Sequence, residues 1–163
     1  MPVITSLRKP QVKNNSSKEQ MESWYRRFLL VVASGTFCFV PIELALSEHT
    51  GSTMQWVPFA VSGLALSALT FWRFNRTKWA FITVKTVMIV SCASSLLGVV
   101  EHFKHNLEFE LEIRPGIGWS DVLVETISGA SPLLAPGILF LAGILVLAAL
   151  YRWPTENATE NAT

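Results

Sequence analysis

Apolar residues in this chain fall into four blocks, separated by short polar stretches, which cover residues 28–46, 54–72, 79–100 and 133–151. Each block holds roughly 19–22 residues, enough for a helix rising 1.5 Å per residue to cross about 30 Å of hydrocarbon. Because lipid offers no hydrogen-bond partners, a segment that crosses it must satisfy its own backbone, as a helix does. The pattern predicts an all-α integral membrane protein with four transmembrane helices.

The polar flanks predict one membrane domain with two tails. Ser17 and Gln20 have the spacing of a capping box, so the first helix is expected to start near residue 17 and continue into the bilayer. Residues 1–16 are expected to be a disordered tail, and residues 154–163 contain the low-complexity repeat TENATENAT and are expected to be another. Residues 17–153 then form a single four-helix domain.

The longest connection between blocks, residues 101–132, is predicted to be an amphipathic outer loop. Leucine, phenylalanine and isoleucine alternate with charged residues over 107–114, and this period of two predicts a short extended segment. A lone strand must pair with something, so the segment either lies on the membrane surface or binds a partner. A short interfacial helix is predicted over 119–129, with Ser120 as its cap. The membrane-facing side of that helix would comprise Trp119, Leu123 and Ile127.

Lysine and arginine are distributed unevenly between the two predicted sides of the membrane. Ten lie on one side, in residues 1–27, in residues 73–78 and at Arg152, whereas Lys104 and Arg114 alone lie on the other. Cytoplasmic segments are enriched in these residues. The distribution predicts a multi-pass protein of the plasma (inner) membrane with both termini in the cytoplasm.

Composition agrees with a membrane protein and removes several other classes. Half of the residues (50%) are hydrophobic and only 15% are charged, against about 25% charged in ordinary soluble domains. The net charge of +1, without a basic stripe, gives no reason to expect a nucleic-acid partner. Cys38 and Cys92 provide neither a disulfide framework nor a zinc-binding pattern.

The histidines suggest one place for metal chemistry, because His49, His102 and His105 all fall on the predicted outer side. If the third span continues by one turn, Glu101, His102 and His105 share about 100° of one helix face. Paired imidazoles beside a carboxylate can chelate a divalent metal ion, with a further ligand from His49, Glu48, Glu108 or Glu110. Alternatively, this is a solvated polar helix end, and Lys104 beside the pair opposes a cation. No other cofactor is expected.

Two ionisable residues lie inside the predicted spans. Glu43 sits several ångströms below the outer interface, and Lys85 about 9 Å above the inner one, at 1.5 Å per residue. Their depths differ too much for direct pairing, and Lys85 is expected to extend its amine toward the inner surface. A carboxylate within a span is costly. Glu43 either handles protons or cations, or is a hydrogen-bonding residue in helix packing.

Small residues are expected at helix contacts, because lipid gives no hydrophobic drive between helices and close backbone approach must supply the attraction. On the third span the small residues are Ser91, Ser94, Ser95 and Gly98, and the predicted facing positions are Gly35, Gly63 and Ser67.

No catalytic motif such as HExxH, GxSxG or a Walker sequence is present, so the chain is expected not to be an enzyme. The preferred hypothesis is a structural or accessory membrane protein whose partners are the lipid bilayer and a second copy or another membrane protein. The alternative is a metal- or proton-handling protein that uses the outer Glu/His cluster.

Overall fold

The computed structural model describes residues 9–116, 118–129, 133–151 and 153, and in these ranges all regular structure is helical. The helices are α1 (Lys9–Leu46), a 3-10 helix (Thr53–Trp56), α2 (Val57–Phe74), α3 (Lys78–Ile113), α4 (Trp119–Ser128) and α5 (Leu134–Leu150). The predicted all-α class is confirmed. The first helix begins at Lys9 rather than near residue 17, so residues 9–16 of the expected tail are helical, and 154–163 lie outside the described residues.

Three helical segments are long and apolar enough to cross a membrane, namely Ser16–Leu46, Thr53–Phe74 and Lys78–Ile113. The fourth predicted span corresponds to α5, whose 17 residues include the shorter apolar segment Pro136–Leu150. Local sequence explains the boundaries. Pro58 lies in the first turn of α2, where its missing N–H costs nothing, and the Thr77 side chain accepts a hydrogen bond from the Ala80 N–H at the start of α3.

The four long helices form a bundle in which α2 and α5 each pack against both α1 and α3. Each helix contributes a stripe of buried side chains spaced three or four residues apart, as a helix with one inward face requires. On α1 the stripe is Ala33, Phe37 and Val40, on α3 it is Ala80, Val84 and Met88, and on α5 it is Leu139, Ala142 and Val146. These apolar stripes form one continuous core between the helices.

Helices α3 and α5 approach each other closely at two glycines. A Cβ atom built on Gly98 would lie 3.0 Å from the Pro136 Cβ, and one built on Gly143 would lie 2.6 Å from the Cys92 Sγ. The predicted small-residue face of α3 is therefore a packing face, with Ser91 and Ser95 also buried.

The facing positions predicted on the other helices are wrong, because the buried stripes of α1 and α2 run elsewhere. Gly35, Gly63 and Ser67 are all exposed. On α2 the inward positions include Ser62, Ala65 and Leu69, so Gly63 and Ser67 point away from the core.

The extended segment predicted over 107–114 is also wrong, since α3 continues as one helix to Ile113. Leucine and glutamate favour helix. In a helix, Asn106 and Glu110 are four residues apart and share one face, and both are buried. A helix satisfies its own backbone, whereas an isolated strand does not. The short helix predicted over 119–129 is present as α4, but it begins at Trp119 with Gly118 as its N-cap, not Ser120.

Candidate functional site

The predicted outer site is built around two imidazoles, which the fold brings face to face. His49 follows α1, and its ring centroid lies 6.4 Å from that of His102 on α3, with the two planes 17° apart. A tight turn holds His49 there, because its N–H donates to the Leu44 carbonyl (2.9 Å) while Glu48 takes a φ of 53°. A non-glycine residue in the left-handed region is uncommon and costs energy, so the turn is a specific feature of this end of the bundle.

The remaining predicted ligands are placed differently. Glu101 Oε1 lies 3.2 Å from Lys104 Nζ, so this carboxylate pairs with a lysine one helical turn away. His105 is exposed. Within the described ranges, no three His, Cys, Asp or Glu side chains form a group that could hold a metal ion. The structure thus brings together two of the four predicted residues, His49 and His102.

The two ionisable residues inside the predicted spans both lie on the outside of the bundle. Glu43 and Lys85 are exposed, on α1 and α3 respectively. The Lys85 ammonium lies 5.5 Å from the centroid of the Phe81 ring, one turn closer to the start of α3. The Glu43 carboxylate has no hydrogen-bond or ion-pair partner among the described residues, although its backbone carbonyl accepts from Ser47 Oγ (2.7 Å). Both groups therefore face whatever surrounds the bundle.

The end of α3 and α4 form a hairpin joined by a network of polar contacts. The buried Asn106 side chain donates to the Thr126 carbonyl (3.0 Å), and a Cβ on Gly129 would lie 2.7 Å from the Asn106 Cγ. Arg114 donates to Glu125 (3.2 Å) and to Glu110, which is only 6% exposed. These hydrogen bonds raise the pKa of the Arg114 guanidinium, that to Glu125 most, so it stays charged.

The outer face of this hairpin is apolar and uncovered. Val122 and Thr126 of α4 are buried against α3, whereas Trp119 is 72% exposed. The exposed apolar side chains of α4 are Trp119, Leu123, Val124 and Ile127. Because α4 packs along the extension of α3, its apolar face belongs to a braced structure rather than to a loose loop.

The opposite end of the bundle carries a second cluster, which the sequence analysis missed. Arg26 donates from Nη1 to the Ala149 carbonyl (3.0 Å) and the Tyr151 carbonyl (2.7 Å), at the end of α5. The guanidinium carbons of Arg26 and Arg76 lie 5.6 Å and 5.5 Å from the centroid of the Trp153 ring. The only hint in the sequence is that Trp and Arg recur together at the ends of the apolar blocks.

Trp72 completes this cluster. Its ring packs edge-on against Trp153, with centroids 5.0 Å apart, and the Arg76 guanidinium carbon lies 4.2 Å from its centroid. A cation above an aromatic face is attracted by the ring quadrupole. The contacts join α1, the α2–α3 turn and the chain beyond α5 at one end of the bundle.

The chain matches no known protein family, and no curated protein or solved structure is significantly similar to it.

Proposed function

We propose that this chain is a four-span protein of the plasma membrane, with both termini in the cytoplasm, that acts as an accessory subunit by binding another membrane protein. It has no enzymatic activity of its own in this proposal. The single observation that carries it is the braced α3–α4 hairpin, whose apolar side chains have no covering element among the described residues.

The proposed topology is supported by which residues meet at each end. Arg26 at the start of the first span, Arg76 between α2 and α3, and Trp153 after α5 share one end, and His49 and His102 share the other. Four membrane crossings produce this alternation, and the lysine and arginine count assigns the basic end to the cytoplasm.

Reporter fusions test this topology directly. We expect fusions at residues 76 and 163 to give cytoplasmic activity, and a fusion near residue 117 to give activity outside the cytoplasm. A reporter at residue 163 on the outer side would contradict the four-span arrangement.

The hairpin has the properties of a binding element. At 1.5 Å per residue, the part of α3 beyond residue 100 extends roughly 20 Å past the predicted span. Its internal contacts, from Asn106 to Thr126 and from Arg114 to Glu110 and Glu125, hold it in one shape. A preformed surface loses little conformational entropy on binding, and exposed tryptophan is a frequent anchor of protein interfaces.

Glu43 supports the same function from within the bilayer. Its carboxylate is exposed on α1 and lacks a partner among the described residues, yet the residue lies inside the predicted first span. An ionisable group facing hydrocarbon is costly, so such residues usually meet a polar group of another helix. A partner helix with a hydrogen-bond donor at this depth would provide that group.

Photo-crosslinking in intact membranes tests the binding of a partner. We expect a crosslinker at Leu123, in the apolar face of α4, to give one discrete adduct with a membrane protein, because this face is open. The matched control is Asp121, which is exposed on the polar side of the same helix. The substitution Trp119→Glu should abolish the Leu123 adduct, and deletion of the chain should lower the abundance of the assembled partner.

Three other results are informative. An adduct with a second copy of this chain would show that the α4 face mediates homo-oligomerisation. Adducts with lipid alone would place α4 on the membrane surface and would contradict partner binding through this face. Equal adducts at Leu123 and Asp121 would show that the apolar face has no special role.

A second candidate function, metal or proton handling at the outer end, is favoured by the stacking of His49 and His102 at 6.4 Å. This function predicts that the purified protein binds zinc near stoichiometrically. Affinity should fall as the pH is lowered, because an imidazole must be neutral to bind a metal. Zinc titrations should show no binding in the His49→Ala, His102→Ala double variant and near-normal binding in His105→Ala. Unchanged binding in the double variant would exclude this site.

A further inference from the structure

The end of the bundle that holds Trp153 carries a concentration of positive charge. Its basic side chains are Arg26, Arg27, Arg73, Arg76 and Lys78. Among the residues that the structure describes, none of these five forms an ion pair. The ion pairs present, Glu101–Lys104 and Arg114 with Glu110 and Glu125, all lie toward the other end of α3.

Arg76 is held in place but keeps its hydrogen-bond donors. Its guanidinium lies against the rings of Trp72 and Trp153, and it makes no hydrogen bond within the described residues. Arg26, on another helix, approaches the same Trp153 ring. Stacking on aromatic rings restrains a long arginine side chain without using its N–H groups, so less entropy is lost when those groups bind a ligand.

The neighbouring aromatic side chains indicate the depth of these cations in a membrane. Trp24, Tyr25 and Phe28 flank Arg26 on α1 and are exposed; Trp24 stacks on Phe28 and meets Tyr25 edge-on. Trp79 at the start of α3 is exposed as well. Tryptophan and tyrosine concentrate at the headgroup level of bilayers. In a bilayer, these aromatic side chains would place the arginines at the depth of the lipid phosphates.

We propose that this end of the bundle is a binding site for the headgroup of an anionic phospholipid, with Arg76 as the principal ligand of the phosphate. Arginine presents paired N–H groups that match two phosphate oxygens. Arg26, Arg73 and Lys78 add positive charge around the same position and favour a headgroup with net negative charge over a zwitterionic one. The site rests on the proposed membrane location, but not on which side of the membrane the basic end faces.

Native mass spectrometry of the full-length protein in detergent tests this site, with phosphatidylglycerol and phosphatidylcholine of identical acyl chains as probes. We expect tighter binding of phosphatidylglycerol, weakening as salt is raised. Arg76→Gln should lower the affinity ratio of the two lipids about fivefold, the factor that corresponds to one basic residue at an anionic surface. The control Lys104→Gln, which removes one charge at the opposite end, should leave the ratio unchanged.

Arg73→Gln keeps the test decisive if Arg76→Gln does not fold, because Arg73 is exposed and makes no contact with the described residues through its charge. Equal binding of the two lipids by the native chain would overturn the proposal. The proposal would also be overturned if the affinity ratio of the two lipids were unchanged in Arg73→Gln and in every Arg76 variant that folds. Complete displacement of phosphatidylglycerol by inorganic phosphate would identify a free anion as the ligand and overturn the lipid assignment. Because micelles have no sides, a failed topology would not affect this measurement.

Discussion

Replacing Gly143 with leucine is expected to lower the free energy of unfolding by about 3 kcal/mol, near the upper end of the usual cost of overpacking. Gly143 lies where α5 meets α3, and even a Cβ there would lie 2.6 Å from Cys92 Sγ and 3.4 Å from the Met88 carbonyl oxygen. A leucine must push the two helices apart, which removes contacts along both. The effect is measured by titrating the purified protein with SDS in mixed micelles and following tryptophan fluorescence.

Gly137 is the matched control, since it lies on the same helix and a Cβ there would have nothing within 4 Å. Leucine favours helix over glycine by almost 1 kcal/mol, and this gain applies to both variants. Gly137→Leu should therefore be at least as stable as the native chain. The smaller substitution Gly143→Ala also brings a Cβ against the Cys92 sulfur, and removal of that sulfur should relieve the clash. The double variant Gly143→Ala, Cys92→Ala should therefore be more stable than Gly143→Ala alone. Equal stability of the two leucine variants would show that α3 and α5 do not meet at Gly143.

Replacing Arg26 with methionine is expected to cost about 2 kcal/mol, because hydrogen bonds that involve a charged group contribute roughly 1.5–3 kcal/mol and these are partly exposed to solvent. Arg26 donates to the carbonyls of Ala149 and Tyr151, at the end of α5, where helix carbonyls lack partners within the helix. Methionine retains most of the apolar stem but no donor. The end of α5 should then separate from α1, which the same SDS titration would report.

Arg27→Met provides the comparison, since Arg27 is adjacent, exposed and without a polar contact among the described residues. It removes the same charge and should change stability by less than about 0.5 kcal/mol, as surface substitutions usually do. If Arg26→Met and Arg27→Met are equally stable, the contact of Arg26 with α5 does not contribute to folding.

Some of the helix ends could be predicted from sequence because they depend on local chemistry. The first apolar block and α1 both end at Leu46. The loop between α2 and α3 is short, because Asn75 ends α2 and Thr77 caps the start of α3. The outer segment could not be predicted in the same way. Its alternation of leucine and glutamate fits a strand locally. The contacts that favour a helix are visible only in the fold: Asn106 contacts α4, and Glu110 contacts Arg114.

The candidate sites also differ in how much of each could be predicted from the sequence. His49 and His102 lie just beyond the ends of the first and third apolar blocks, so their placement at the same end of the bundle followed from the predicted topology. The pairing of Glu101 with Lys104, three residues away, removed a predicted ligand. Arg26 and Trp153 were also predicted at one end of the bundle, but their contact joins residues from opposite ends of the chain and is visible only in the fold.

Helix α3 is unbroken and links the two ends of the bundle. Its 36 residues contain no proline and extend roughly 54 Å at 1.5 Å per residue. Gly98, where α3 passes close to Pro136 of α5, provides a reference point along it. If α3 tilts as a rigid rod about this point, a rotation of about 5° moves its basic first turn by roughly 2.6 Å and its far end by roughly 2 Å in the opposite direction. A rigid tilt of α3 would therefore couple movement of the α3–α4 hairpin to movement of Lys78 and the adjoining turn at the other end of the bundle.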